Sequence, residues 1–147
     1  MLTDLTSSLI CNLQNSSRVF QSHSLVPYNS MNLSILACLK KHVLIEGFSA
    51  LYEDKTFKSK KTCSPSKIQV KLVYDGLNFR KARILKIKRI SKPGHRIYLS
   101  YNQVKNFAKM KTLNGGLVLI LSSFGLITHL EAAKFKVGGE LLLFYTL

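Results

Sequence analysis

In this 147-residue chain the group best suited to acid–base chemistry is Glu140, a lone carboxylate inside the apolar segment VGGELLLFYT at 137–146. Such a carboxylate becomes a general base when a nucleophile or second titratable group stands within reach. No His, Cys or further acid lies at a spacing that would complete a pair, so the sequence assigns no catalytic residue. Glu140 fits better as a group that orients nearby hydroxyls or accepts from a base amino group. Ser122 and Ser123 end an apolar run just before Phe124 and Gly125. Hydroxyls at an exposed turn both donate and accept, which suits ribose 2′-OH groups and unpaired base edges in irregular RNA. Taken alone, the two serines read as ordinary turn residues sooner than as a binding site. Gly138 and Gly139 permit close backbone approach beside Glu140. Cys11, Cys38 and Cys63 make no disulfide framework, and with His23, His42, His95 and His129 they match no zinc pattern. No metal, cofactor or small-molecule substrate is implied.

Charge is the stronger signal. The chain has 22 Lys and Arg against 7 Asp and Glu, a formal net charge of +15. Between Lys55 and Lys111 there are 17 cations and one acid, Asp75. Solvated faces normally mix signs, so a block this one-sided points to a polyanion. Lys88 leads into RISKPGHRIY at 89–98, which sets Arg89, Lys92 and Arg96 around a Lys-Pro-Gly turn and ends at Tyr98. These cations suit phosphate contacts that position a protein on nucleic acid without reading sequence. Tyr98 reads equally as a core residue or a stacking platform. A peripheral membrane role would need a basic amphipathic helix, whereas the cations here fall in predicted strands and turns. The longest apolar run, 116–127, is too short to span a bilayer and contains Ser122 and Ser123. An RNA-modifying or RNA-cleaving enzyme with a basic groove is the alternative reading, and it lacks an acid–base pair.

The elements that must position these groups follow from periodicity. Asp4 caps a predicted helix to about Asn15, with Leu5, Leu9 and Leu13 on one face. Met31, Ile35, Leu39 and Val43 predict a second helix, entered from Val26 and stopped by Gly47. A strand edge at 48–53 and a basic loop at 55–66 follow. Ile68, Val70, Leu72 and Tyr74 then alternate with mostly polar residues up to an Asp75-Gly76 turn, with ARILKIKRI (82–90) as the expected partner strand. Past the Lys-Pro-Gly turn come a short strand (97–101), a helix (102–110), an LNGG turn and a buried strand (118–123). A helix capped by Thr128 with Glu131 at N3 precedes the closing strand. The class is α+β, as two small lobes, each a short mixed or antiparallel sheet with one or two helices. The expected boundary lies at Pro93, giving an N-terminal lobe with a basic hairpin (1–92) and a β-rich C-terminal lobe (93–147). The Lys-Pro-Gly turn is then the hinge.

In this order, ISKPGHRIY (90–98), LNGG (113–116), SSFGLITHLEAAKF (122–135) and VGGELLLFYT (137–146) resemble the small-subunit ribosomal protein S-eight family, with weaker echoes at 4–15, 26–27 and 46–48. The resemblance implies a two-lobed α+β protein that binds 16S-type rRNA directly, beside neighbouring small-subunit proteins, and performs no reaction. It places the family's Ser-Thr-Ser-Lys-Gly loop on Ser122, Ser123 and Gly125. Its Gly-Gly-Glu segment falls on Gly138, Gly139 and Glu140, and its aromatic near the turn on Tyr98. The loop here is one residue shorter and lacks the lysine, and Phe124 in it reads either as a ring that stacks on a base or as a packing residue. Asn12 and Gln14 stand where the family's first helix carries arginines. These departures, the absence of Trp and the excess of Lys over Arg imply an organellar copy, mitochondrial rather than plastid or bacterial, and organelle-encoded because the match starts near Met1.

Overall fold

The computed structural model describes residues 4–52, 65–75, 81–84, 86–112 and 116–146. Most of the expected 55–66 loop, the Gly76 end of the Asp75-Gly76 turn, the first three residues of LNGG, and Cys63 lie outside them. The chain divides into two units, Met1–Ala82 and Arg83–Leu147.

In the first unit, helix α1 (Leu5–Arg18) starts where expected. The Asp4 carboxylate accepts from the backbone N–H of Thr6 and Ser7 at 3.2 and 3.4 Å and from Ser7 Oγ at 2.8 Å, satisfying donors that a helix start leaves open. Strand β1 (His23–Pro27), helix α2 (Ser30–Lys41), strand β2 (Ile45–Tyr52) and strand β3 (Pro65–Leu72) follow. The sheet is antiparallel in the order β1-β3-β2. Central β3 buries Ile68, Val70 and Leu72, exposes Lys67 and Lys71 and leaves Gln69 half-buried, close to the alternation its sequence shows. Leu9 and Leu13 of α1 and Ile35, Leu36 and Leu39 of α2 are buried with them. Buried Asn32 donates to the carbonyls of Leu5 and Pro27 at 3.2 and 3.0 Å, tying α2 to the start of α1 and the end of β1. Two short strands, β4 (Tyr74–Asp75) and β5 (Lys81–Ala82), pair with each other. Tyr74 donates its hydroxyl to Gln21 O at 2.5 Å, and burial pushes its phenol above the ordinary tyrosine range, so the donor persists into alkaline solution.

The second unit contains β6 (Lys86–Arg89), β7 (Tyr98–Leu99), α3 (Tyr101–Thr112), β8 (Gly116–Ser122), β9 (Gly125–Thr128), α4 (His129–Phe135) and β10 (Gly139–Thr146). Its antiparallel sheet runs β6-β10-β8-β9, with β7 also paired to β10. One face packs on a core of Val104, Val118, Ile120, Ile127, Ala132 and Leu141, drawn from both helices and three strands. A bulge between Leu141 and Leu143 keeps Leu141 and Phe144 on that same face. Helix α4 has the expected capping box: Glu131 N donates to Thr128 Oγ1 at 3.4 Å and Thr128 N donates to Glu131 Oε2 at 3.0 Å.

Three expectations are corrected. Lys86–Arg89 pairs with β10, not with β3, because both edges of β3 are already taken by β1 and β2. The division between units falls at Ala82/Arg83, so the Lys-Pro-Gly turn is no hinge. Both of its arms are bonded to β10: Ile90 N and Ser91 N donate to Leu142 O and Leu141 O at 3.0 and 3.1 Å, and Leu141 N donates to Ile97 O at 2.9 Å. The third concerns helix ends. α1 runs to Arg18, and α2 stops at Lys41, well before Gly47. Both helices, and α4, finish through a left-handed residue that is not glycine: Phe20 (φ 58°), Val43 (φ 57°) and Lys136 (φ 56°). In each, the next residue's N–H closes back over the last turn: Gln21 to Ser16 O, Leu44 to Leu39 O and Val137 to Ala132 O, at 3.0 to 3.1 Å. This is the closure that glycine usually provides.

A β-branched residue in the left-handed region is the most strained of the three. Val43→Gly is therefore expected to stabilise the protein by about 1 kcal/mol despite the looser unfolded chain. A urea midpoint that moves downward would show that Val43 carries no such strain.

Candidate nucleic-acid interface

Residues far apart in sequence meet at one end of the second unit's sheet because β10 is flanked there on both edges. Glu140 lies directly opposite Tyr98 of β7 and Leu121 of β8, and Ser122 lies opposite Gly125. Paired residues on antiparallel strands share a face. Ile97 and Leu99 pack on the core, so Tyr98 between them points the other way and is 63% exposed. The even choice between core and surface for Tyr98 is thus resolved as surface.

Glu140 sits on that face but is only 7% exposed. Its Oε2 lies 3.5 Å from Nη1 of Arg96, whose own side chain is largely exposed. A nearly buried carboxylate needs such a partner, and the pair holds the guanidinium at the surface beside Tyr98. Ser122 closes the β8–β9 turn: its Oγ accepts from Phe124 N and donates to Gly125 O, each at 3.2 Å. That leaves one lone pair for an outside donor, whereas exposed Ser123 keeps the whole of its hydroxyl for solvent or a ligand on the described contacts. Gly125, at φ 93°, occupies backbone space that side-chain-bearing residues rarely adopt.

The glycines beside Glu140 have a packing role. A Cβ on Gly138 would collide with Leu99 O, and one on Gly139 with Leu121 O. They let β7 and β8 close on β10, which sets Tyr98 opposite Glu140 and leaves Ser122 one residue beyond Leu121, the partner of Glu140 on β8. Gly94 differs: it has no left-handed φ, and a Cβ there would meet nothing within 4 Å. The Lys-Pro-Gly turn is closed instead by paired bonds between Lys92 and His95, at 2.9 and 3.0 Å, with Ser91 Oγ accepting from Ile97 N at 3.0 Å beneath them.

The remaining predicted cations spread along the same sheet edge. Lys92 is exposed on the turn. Arg89 donates through Nε to Ser91 O at 2.6 Å, and exposed Lys88 lies opposite Phe144. Lys88 is thus four positions along β10 from Glu140, about 13 Å away, and is not part of the cluster. Over 83–147 the sequence has 11 cations and only two acids, Glu131 and Glu140. Both acids are engaged inside the unit, one in the α4 cap and one with Arg96.

Sequence reasoning passed over Phe135. Its ring lies 5.9 Å from that of Phe124 at an interplanar angle of 31°, and both rings are mostly exposed. Periodicity gave no signal for it: Phe135 follows Ala132 by the same three residues that separate Ala132 from His129, which are both buried.

These features define a small, strongly basic α+β protein of two units, whose C-terminal unit gathers an exposed aromatic, a fixed arginine and a hydroxyl-bearing turn at one sheet end. The chain belongs to the ribosomal protein S8 family, whose profile matches residues 4–145. It is 39% identical to the small ribosomal subunit protein uS8 of Borreliella afzelii (strain PKo) over 143 residues, covering 96% of each chain. It is 33% identical to the small ribosomal subunit protein uS8c of Pleurastrum terricola over 145 residues, covering 97% of each. With uS8 of Helicobacter acinonychis (strain Sheeba) it shares 32% identity over 143 residues, again covering 97% of each.

The two kinds of glycine are expected to separate on substitution. Gly139→Ala forces β8 away from β10 and costs about 1–3 kcal/mol, while Gly94→Ala stays within about 0.5 kcal/mol of the parent in urea unfolding. Equal losses at both positions would contradict the packing assigned to Gly139.

Proposed function

We propose that this protein is a structural constituent of the small ribosomal subunit that binds 16S-type rRNA directly, beside neighbouring small-subunit proteins, and carries out no reaction. The observation that carries this reading is the family match over residues 4–145, joined to relatives named as small ribosomal subunit proteins. The sheet end supports it physically. Cations such as Lys92 and Arg96 supply phosphate contacts, which fix position without reading sequence. Arg96 is held by Glu140, so its guanidinium is pre-set and loses little freedom on binding. Ser122 and Ser123 offer groups for ribose and base edges, and Tyr98 offers an exposed ring. An RNA-modifying or RNA-cleaving role gains no support from the relatives, whose names describe ribosomal proteins.

The finer assignment is to the mitochondrial small subunit. Its support is compositional: 17 Lys against 5 Arg, no Trp, and Asn12 and Gln14 on α1 in place of cations. Cell fractionation decides it, since the chain should co-sediment with mitochondrial small subunits and crosslink to their rRNA. Recovery with plastid or cytosolic subunits would move the protein to that compartment.

Affinity for a small-subunit rRNA fragment should fall steeply with salt, and Arg96→Ala should reduce the slope of log K against log salt by about one. Ser123→Ala should weaken discrimination against unrelated RNA and leave that slope unchanged. Equal affinity of the parent for an unrelated RNA duplex would sink the rRNA reading.

A further inference from the structure

We infer that Phe124 and Phe135 form a preorganised stacking platform for one unpaired base of the bound RNA. The inference rests on the rRNA-binding reading and deepens it. The two rings come from separate elements, the β8–β9 turn and the last residue of α4, and meet at 5.9 Å with a tilt of 31°. Phe124 is nonetheless 69% exposed and Phe135 59% exposed. Most of each ring therefore stays open after they touch, and neither contributes a filled core position.

Both supports are fixed. The turn is closed by the Ser122 hydroxyl bonds and by left-handed Gly125. Helix α4 is held at its start by the capping box and at its end by Val137 N donating to Ala132 O at 3.1 Å across left-handed Lys136. The rings are thus presented on rigid backbone, and a planar ligand would pay little ordering entropy to use them.

The surroundings select the ligand. Exposed Lys134 and Lys136 flank Phe135 in sequence, and Ser123 precedes Phe124. Both acids of the unit have partners of their own, Glu131 in the α4 cap and Glu140 at Arg96. An aromatic face bordered by ammonium groups and a hydroxyl matches a nucleotide part by part: ring for base, lysine for phosphate, serine for ribose. Stacking accepts any base, so the platform recognises an unstacked nucleotide rather than a particular one.

The test uses the full chain and a small-subunit rRNA fragment carrying 2-aminopurine in place of single unpaired adenines. Stacking on the platform is expected to change the fluorescence at one of these positions on binding. Phe124→Leu and Phe135→Leu should each abolish that change and lower affinity about tenfold, with the salt slope unaltered. Phe124→Trp should preserve both signals, and because both positions are exposed the variants should keep the parent's far-ultraviolet dichroism. Binding with no such change at any position, or with a change and affinity that survive both Leu variants, overturns the platform. That second result is what a protein-facing role for the pair would give. Failure of the parent chain to bind the fragment at all overturns the rRNA reading itself, and the platform with it.

Discussion

A strand has two edges, and the C-terminal unit asks β10 to serve three neighbours with them. One edge is given along its length to β8. The other is divided: β7 pairs at Gly139 and Glu140, and β6 pairs from Leu143 to Thr146. The chain between β6 and β7 must then leave that edge and return to it, which is what the Lys-Pro-Gly turn does, anchored at Leu142 and Leu141 on its first arm and at Leu141 on its second. The bulge at Leu142 falls where the edge changes hands. Gly138 and Gly139 lie where neighbouring backbone crowds in on β10, and the absence of a Cβ lets it approach. The grouping of Tyr98, Arg96 and Glu140, with the Ser122 turn at the same end of the sheet, is a consequence of how β10 is shared, not of any local motif.

Much of the fold was legible because local signals agreed with tertiary ones. Asp4 before a leucine-spaced run, Thr128 three residues before Glu131, and the alternation through Ile68, Val70 and Leu72 each state a local geometry that packing then keeps. The misreadings have physical causes. The left-handed closures at Phe20 and Val43 lack the glycine that normally marks them, so the sequence pattern shortens one helix and lengthens the next. His23–Pro27 is a strand of five residues, too short for its alternation to stand out from the approach to α2. The segment LKIKRI has the same period as KIQVKLVY, and period alone cannot say which distant edge a strand will join. Tyr98 was undecidable from sequence because its exposure is set by Ile97 and Leu99 packing on the core.

The candidate site is legible in a different way. Its serines, glycines and glutamate were singled out through the order of motifs along the chain, and the fold explains why that order matters: the pairing of Glu140 with Tyr98 and Leu121 needs all three segments present. What the motifs did not convey is the division of labour. Gly138 and Gly139 pack backbone, Ser122 closes its own turn, and Glu140 holds Arg96, so the residues most recognisable in the sequence mainly build the site. The groups left facing outward are fewer and less patterned: Tyr98, Ser123, Phe124, Phe135 and the exposed lysines.

That division bears on how a chain with 11 cations over two acids in one unit avoids holding every RNA alike. Phosphate attraction is nearly independent of sequence and weakens with salt, so it raises affinity for right and wrong partners together. Discrimination has to come from uncharged groups, each worth only a modest factor, and it survives only if those groups are held in one geometry. The uncharged groups here stand on backbone that is closed by hydrogen bonds at the β8–β9 turn, at both ends of α4 and beneath the Lys-Pro-Gly turn. In the proposed complex the lysines bring the RNA to the sheet, and the fixed hydroxyls and rings decide whether its unpaired nucleotides fit. The acids complete the arrangement: Glu131 is used in the α4 cap, and Glu140 offsets part of the charge of Arg96 in return for fixing its geometry, so the burden of selectivity falls on shape.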